Sequence, residues 1–192
     1  FYCIKNRDDS TVLTESSSGF IDVTFYSDAY NTSDKLNFLK SSACDGWYIR
    51  IGYEQGSQMR PGEKVVSSPL VYGGMVFFTT FIPVVTSSEE DMCGMTGVGE
   101  GRLYALNYLT GEAIKELNFY QGNDTFEGGM LRVVLDERDR SMSLGSGIPT
   151  APTLAVTSSG PVLLVGTSEG VKAVDIPEEN SVTKYFWLQG IE

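Results

Sequence analysis

The residue types that most enzyme chemistry requires are absent or badly spaced in this chain. No histidine occurs among the 192 residues, so Ser-His-Asp triads, Cys-His pairs and histidine-based zinc sites cannot form within it. The three cysteines, Cys3, Cys44 and Cys93, lack the C-x-x-C spacing of a cysteine-only metal site or a redox dithiol. The sequence therefore predicts a protein that is not an enzyme and has no catalytic residues.

One stretch has the spacing of metal ligands. Asn6, Asp8 and Ser10 alternate along the chain as the oxygen ligands of a calcium loop do. Thr11, however, stands where such a loop needs its turn glycine, and no acidic residue closes the loop. We interpret this stretch as a solvated polar turn and keep the three residues as weak metal candidates. No metal ion or cofactor is expected.

The charge balance argues against two classes of partner. The net charge is −11, and the 14 lysines and arginines are scattered along the chain, so nucleic acid and anionic membrane surfaces are unfavourable partners. The longest apolar run, from Met75 to Val85, is far shorter than the roughly 20 residues of a membrane-spanning helix. No membrane span is therefore expected.

Glycine positions and apolar runs together indicate β-strands. Lys64 to Tyr72 and Met75 to Ile82 are apolar β runs separated by Gly73-Gly74, a pair that favours a tight hairpin. Arg102 to Tyr108 alternates large apolar with small or polar residues, and a Thr-Gly turn leads from it into Ala113 to Phe119. The sequence predicts four strands in one antiparallel meander.

The same pattern recurs later in the chain. Ala151 to Val156 and Val162 to Thr167 repeat the hairpin, and Gly170 to Asp175 repeats the strand from Gly101 to Asn107. A repeat of four short strands is typical of a β-propeller blade. We therefore expect an all-β fold that is part of a β-propeller, with about two and a half four-stranded antiparallel blades and loop inserts.

These strands divide the chain, as a single propeller fragment over 1–192, into three parts. A partial blade covers 1–53, a full blade with an insert at 83–100 covers 54–129, and a further blade covers 130–192. The partial blade is predicted to contain a third strand at Phe1 to Ile4, a strand at Phe20 to Phe25, a helix at Ser33 to Lys40 and an outer strand at Gly46 to Tyr53. Further along, Tyr120 to Gly129 is predicted as a loop, Met130 to Leu135 as a strand, Asp136 to Gly147 as a linker and Val182 to Leu188 as an outer strand. Because propellers close with about four to eight blades, we expect open end faces that favour aggregation.

Three motifs together resemble a known family. They are GWYIRI at Gly46 to Ile51, GEKVVSSPLVYGGMVFFTTFIP at Gly62 to Pro83 and GRLYALNYLTGE at Gly101 to Glu112, with Cys93 in the insert before the last. Their order and spacing resemble the C-terminal, quinoprotein-like β-propeller of the PilY family, large secreted proteins of bacterial type IV pili. The resemblance is good from Cys44 to Gly111 and looser from Ser146 to Val174.

The resemblance implies a non-enzymatic module of a type IV pilus assembly and tip adhesin protein that supports pilus biogenesis, twitching motility and surface attachment. The implied partners are pilins or minor pilins, upstream domains of the same protein, and a host or surface ligand. The implied location is extracellular, at the pilus tip or outer cell surface, after export through the periplasm. Calcium occurs in the family, although its loop motif is not found in this chain. A quinone-dependent dehydrogenase and an outer-membrane assembly scaffold share the blade pattern and stay open as alternatives.

Export would expose the three cysteines to an oxidising compartment, where thiols within reach pair. Cys3 with Cys44 is the favoured disulfide, because both lie in the same partial blade on or beside neighbouring predicted strands. Cys44 with Cys93, or no internal pair, are the alternatives.

Overall fold

The computed structural model describes residues 1–5, 19–25, 33–52, 60, 62–83, 99–114, 125–127, 130–132, 137–158 and 160–176. The strands are β1 (Tyr2–Ile4), β2 (Phe20–Asp22), β3 (Gly46–Tyr48), β4 (Lys64–Val65), β5 (Leu70–Tyr72), β6 (Met75–Ile82), β7 (Glu100–Asn107), β8 (Thr125–Glu127), β9 (Met130–Arg132), β10 (Ser141–Ser146), β11 (Thr153–Thr157), β12 (Gly160–Thr167) and β13 (Gly170–Asp175). Within the described residues the single α-helix is α1 (Ser33–Lys40), and a 3-10 helix covers Glu137–Arg140. The predicted all-β fold and the predicted helix are both confirmed.

The strands form three sheets and one separate hairpin. Sheet 1 has the order β1-β3-β2, with β1 antiparallel and β2 parallel to β3. Sheet 2 has the order β10-β7-β6-β4, and β5 also pairs with β6. Sheet 3 has the order β11-β12-β13, and β8 pairs with β9.

The predicted hairpin around Gly73-Gly74 is present. Both glycines have positive φ, 56° and 80°, as a tight turn between antiparallel strands requires. β6 then pairs with β7 along its whole length, from Met75 with Asn107 to Ile82 with Glu100. These two long strands form the centre of the fold.

The predicted strand from Lys64 to Tyr72 is in fact two short strands, β4 and β5. Pro69 has no backbone N–H to donate to a ladder, which disfavours a continuous strand at this point. The Ser67 hydroxyl occupies the gap and accepts a hydrogen bond from the Thr79 N–H at 2.9 Å. A side chain therefore replaces one backbone partner of β6.

The strand that pairs with β7 on the side away from β6 is β10, whereas the strand predicted at Ala113 to Phe119 is described only as far as Ile114. Ala113 makes only an isolated bridge with Leu106, and residues 115–119 of the predicted strand lie outside the described residues. β10, which falls in the predicted linker from Asp136 to Gly147, pairs with β7 instead. Strand pairing uses backbone groups, so a Ser- and Gly-rich segment forms it readily once Leu144 is buried in the core.

Three further expectations need correction or stay untested. β3, predicted within an outer strand at Gly46 to Tyr53, is the middle strand of sheet 1, because both β1 and β2 pair with it. The predicted loop from Tyr120 to Gly129 contains β8. The outer strand predicted at Val182 to Leu188 lies outside the described residues.

The three sheets are stacked face to face, and sheet 2 lies in the middle. Alternate side chains of β6 point to opposite sides, so Phe78 joins a cluster with Trp47 of sheet 1 while Phe77 joins a cluster with Leu163 and Val165 of sheet 3. Both faces of sheet 2 are therefore buried. Within the residues that the structure describes, no helix has the length and apolar character needed to cross a membrane.

Candidate functional site

The residues proposed as metal ligands from the sequence, Asn6, Asp8 and Ser10, lie outside the described residues, as does Cys93. In the described part of the chain, no group of three or more histidine, cysteine, aspartate or glutamate side chains is arranged to hold a metal ion. The weak metal candidates therefore stay as predictions.

The favoured disulfide between Cys3 and Cys44 is not formed, since both cysteines are free thiols. The Cys3 thiol donates to the Tyr108 carbonyl at 3.3 Å, and the Cys44 thiol donates to the Gly46 carbonyl at 3.3 Å. Burial raises the pKa of the Cys3 thiol. Each thiol thus behaves as a weak donor that satisfies a carbonyl in the packing between sheets 1 and 2.

The strands of sheet 2 and the strands of sheet 3 pair in the same register within their own sheets, so each residue of one sheet has an equivalent in the other. In sheet 2, Leu70 pairs with Phe77 and Phe77 pairs with Ala105; in sheet 3, Thr153 pairs with Leu164 and Leu164 pairs with Ala173. A hydroxyl side chain two positions before a proline also recurs in both sheets: Ser67 precedes Pro69, and Thr150 precedes Pro152. The Thr150 hydroxyl accepts from the Gly166 N–H at 2.9 Å, as the Ser67 hydroxyl does from Thr79. The recurrence of a side-chain contact shows that the two sheets are structural repeats.

The repeats also face the same way along the stack. Val76 and Leu106 of sheet 2 point toward sheet 1, and their equivalents Leu163 and Val174 of sheet 3 point toward sheet 2. Sheets 2 and 3 therefore each present the same side to the sheet before them. The stack grows by repetition of one interface type and not by pairing like faces.

A buried carboxylate holds the polar end of the interface between sheets 1 and 2. Glu63 Oε1 accepts from the Thr80 hydroxyl at 2.6 Å and from the Tyr104 hydroxyl at 3.0 Å, while Oε2 lies 3.1 Å from Arg60 Nε. Burial, together with the charge of Glu63, raises the pKa of Tyr104. This phenol stays protonated and acts as a hydrogen-bond donor, so the cluster is suited to holding structure and not to nucleophilic chemistry.

The buried side chain of Arg140 connects the end of sheet 2 with sheet 1. Arg140, which directly precedes β10, donates from Nη1 to the Thr24 carbonyl at 2.9 Å. The Thr24 hydroxyl in turn accepts from the Arg50 N–H at 3.0 Å and donates to Asp22 Oδ1 at 2.5 Å. This contact was not predicted, because its partners are more than a hundred residues apart and neither carries a motif.

The Gly-Trp and Thr-Gly motifs of the sequence meet in one contact between these sheets. The Trp47 indole N–H donates to the Tyr108 carbonyl at 3.0 Å. Gly111 has a φ of 71°, and a Cβ atom there would lie 2.8 Å from Val23 and 3.2 Å from the indole. Glycine is therefore required for both its backbone conformation and its lack of a side chain.

Exposed apolar side chains lie on the outward sides of sheets 1 and 3. On sheet 1, Tyr2 and Ile4 of the edge strand are 53% and 60% exposed, whereas Phe20 and Tyr48 on the same side are buried and stack with the Tyr2 ring. On sheet 3, Val171 is 72% exposed. These exposed apolar side chains are the positions on which a partner could bury area, and we treat them as the candidate functional site.

Comparisons of the chain with protein-family models, with curated proteins and with solved structures found no match.

Proposed function

We propose that the three stacked sheets are successive blades of a β-propeller of the PilY type. The observation that carries the proposal is the shared register of sheets 2 and 3 combined with their common orientation. A propeller is a ring of such repeats, each of which packs the same side against the blade before it. β1 extends the pattern, since Phe1-Tyr2-Cys3-Ile4-Lys5 resembles Leu103-Tyr104-Ala105-Leu106-Asn107 in its order of apolar residues around a tyrosine and in the direction of its side chains.

The proposed role is that of an exported, non-enzymatic binding module at the tip of a type IV pilus or at the outer cell surface. It would act in pilus assembly and surface attachment, with pilins, minor pilins or other domains of the same protein as partners. Two features support this role: Glu63 and Arg140 are hydrogen-bonded inside the packing between sheets 1 and 2, and the exposed apolar side chains on the outward sides of sheets 1 and 3 are suited to protein contacts. The motifs that resemble PilY, Gly-Trp-Tyr and Thr-Gly, also meet in one contact.

The role is tested in the bacterium that produces the protein. Antibodies against the 192-residue chain should detect it in the fraction sheared from the cell surface and label the ends of pili by immunogold microscopy. An in-frame deletion of the gene should reduce surface pili and twitching, and the wild-type gene should restore both. Normal piliation and twitching in the deletion strain, or a chain found only inside the cell, would contradict the role.

A further inference from the structure

We propose that the cavity between β2 and α1 binds a small organic amine, that is, a ligand with a short apolar body and a cationic ammonium group. The cavity has a volume of about 360 Å³. This volume lies at the lower end of the range of about 300–1,000 Å³ that small-molecule sites occupy. Binding there requires neither the stacked repeat nor a role in pili, so the pilus assay and the test below can fail independently.

Two apolar side chains line the cavity, Ile21 from β2 and Phe38 from α1. Both are partly buried, and both pack against the core cluster that contains Trp47 and Phe78. An apolar group of a ligand would cover the surface that Ile21 and Phe38 still expose. Burial of such surface is the main source of affinity in small-molecule sites, so the lining favours a ligand with an apolar body.

The walls of the cavity are held in place by contacts outside it. On α1, Leu39 is fully buried, and the Lys5 ammonium donates to the carbonyls of Leu39 and Ser41 at 2.7 and 2.9 Å. On the other side, β2 pairs with β3 along its whole length. Because both walls belong to fixed elements of sheet 1 and its helix, a ligand would bind without ordering either of them.

Two carboxylates from different elements also line the cavity, Asp22 of β2 and Asp34 of α1. Asp34 lies four residues before Phe38, so the two side chains share one face of the helix. A ligand whose apolar body covers Phe38 therefore has its other end beside a carboxylate. This arrangement suits an ammonium group and opposes a carboxylate at the same end of the ligand.

The two carboxylates differ in what already engages them. Asp22 Oδ1 accepts from the N–H and the hydroxyl of Thr24, and Oδ2 lies 3.4 Å from Arg50 Nη2. Asp34 is exposed, and within the part of the chain that the structure describes its carboxylate has no ion pair or hydrogen bond. Lys35 lines the cavity too, but adjacent residues of a helix do not face each other. Asp34 is therefore the carboxylate expected to pair with the ammonium.

The test uses phenethylamine as the probe, with phenethyl alcohol and hydrocinnamate as analogues that replace its ammonium by a hydroxyl or a carboxylate. Each is titrated into the 192-residue chain at neutral pH while the methyl groups of Ile21 are followed by NMR. The amine should give a saturable shift, and both analogues should bind about two- to fivefold more weakly, the scale of one exposed ion pair. No saturable shift, or equal affinity for all three probes, would overturn the proposal.

A change of charge at the exposed Asp34 separates the site from the net charge of the chain. Asp34→Asn should weaken the binding of phenethylamine about two- to fivefold and leave that of phenethyl alcohol unchanged. Asp175→Asn is the matched control, because Asp175 is also an exposed aspartate but lies at the end of β13 in sheet 3. It should leave the affinity for the amine unchanged. Equal losses in the two variants would mean that the amine responds only to the net charge of −11, and would overturn the proposal.

The apolar part of the site is tested at Phe38. Phe38→Ala should weaken the binding of all three probes about threefold or more, because each of them loses the apolar surface that its ring covers. Circular dichroism checks that the variant is folded, and an unchanged affinity in the folded variant would overturn the proposal. Nuclear Overhauser effects between the ring of bound phenethylamine and the Ile21 methyl groups test the same contact in the unaltered chain. Their absence at saturation would overturn it as well.

Discussion

The interface between sheets 1 and 2 differs in chemistry from the interface between sheets 2 and 3. The first contains the stacked rings of Phe1, Phe78 and Tyr104, with centroids 4.1 and 4.9 Å apart, and the buried polar contacts of Glu63 and Arg140. The second is formed mainly by aliphatic side chains, and several of its polar contacts lie at the exposed rim. The first interface therefore depends on contacts with specific geometry, whereas the second depends mainly on the burial of aliphatic side chains. Substitutions at the two interfaces should lower the free energy of unfolding by different amounts.

The largest expected effect is at Trp47. Trp47→Ala removes a fully buried indole and its hydrogen bond to Tyr108, and should lower the free energy of unfolding by about 3–5 kcal/mol. Leu163→Ala, the matched change in the other interface, leaves no polar group unpaired and should cost about 2–4 kcal/mol. Denaturant unfolding measures both. A smaller loss for Trp47→Ala than for Leu163→Ala would contradict a stronger first interface.

Glu63 should show the cost of breaking a buried ion pair. Glu63→Gln keeps the side-chain shape but leaves the Arg60 guanidinium without its carboxylate, for an expected loss of about 3 kcal/mol. Glu100→Gln is the control, because Glu100 pairs with Arg102 at 2.7 Å but its side chain is 40% exposed. The control should cost less than about 1 kcal/mol. Equal losses for the two variants would show that burial does not distinguish these pairs.

Tyr104 should make stability depend on pH at the alkaline end. Its pKa is raised by burial and by Glu63, so its contribution is fully present below the ordinary tyrosine pKa of about 10. The contribution is lost as the pH rises through the raised pKa. Tyr104→Phe should cost about 1–2 kcal/mol near neutral pH and weaken the alkaline dependence. An unchanged alkaline profile in Tyr104→Phe would contradict this assignment.

The smallest expected effect is at the exposed rim between sheets 2 and 3. Hydrogen bonds from the Ser146 hydroxyl and N–H lower the pKa of Glu169. The stabilisation is therefore present above the ordinary glutamate pKa and is lost as the pH falls through the lowered value. Glu169→Gln should flatten the acidic end of the stability profile only slightly. A loss of stability as large as that of Glu63→Gln would contradict the expected difference between the two interfaces.

The strands of the central hairpin could be predicted because local signals agree there. Gly73 and Gly74 supply the positive φ values of the turn, and the apolar runs on either side have the length of buried strands. The helix was predicted for a similar reason, since Leu36 and Leu39 lie three residues apart and Leu39 is fully buried. Repetition of these patterns also made the relation between sheets 2 and 3 visible in the sequence.

The parts that could not be predicted depend on long-range contacts. β10 has few apolar side chains, so its pairing with β7 leaves almost no local signal. Arg60 and Glu63 are close in sequence, but their burial depends on Tyr104, about forty residues further along the chain. The break at Pro69 is an exception, because the N–H that proline lacks is a local signal visible in the sequence.

Sheet 2 lies between two sheets and presents opposite faces to them, and the neighbouring rings of Phe77 and Phe78 test this arrangement most directly. Nuclear Overhauser effects, measured on a sample with labelled methyl groups and phenylalanine rings, report which groups lie next to each ring. The structure predicts contacts from Phe77 to the methyl groups of Leu163 and Val165, and from Phe78 to the Phe1 ring. Contacts of both rings with the same sheet would contradict the stacking and, with it, the structural repeat of sheets 2 and 3.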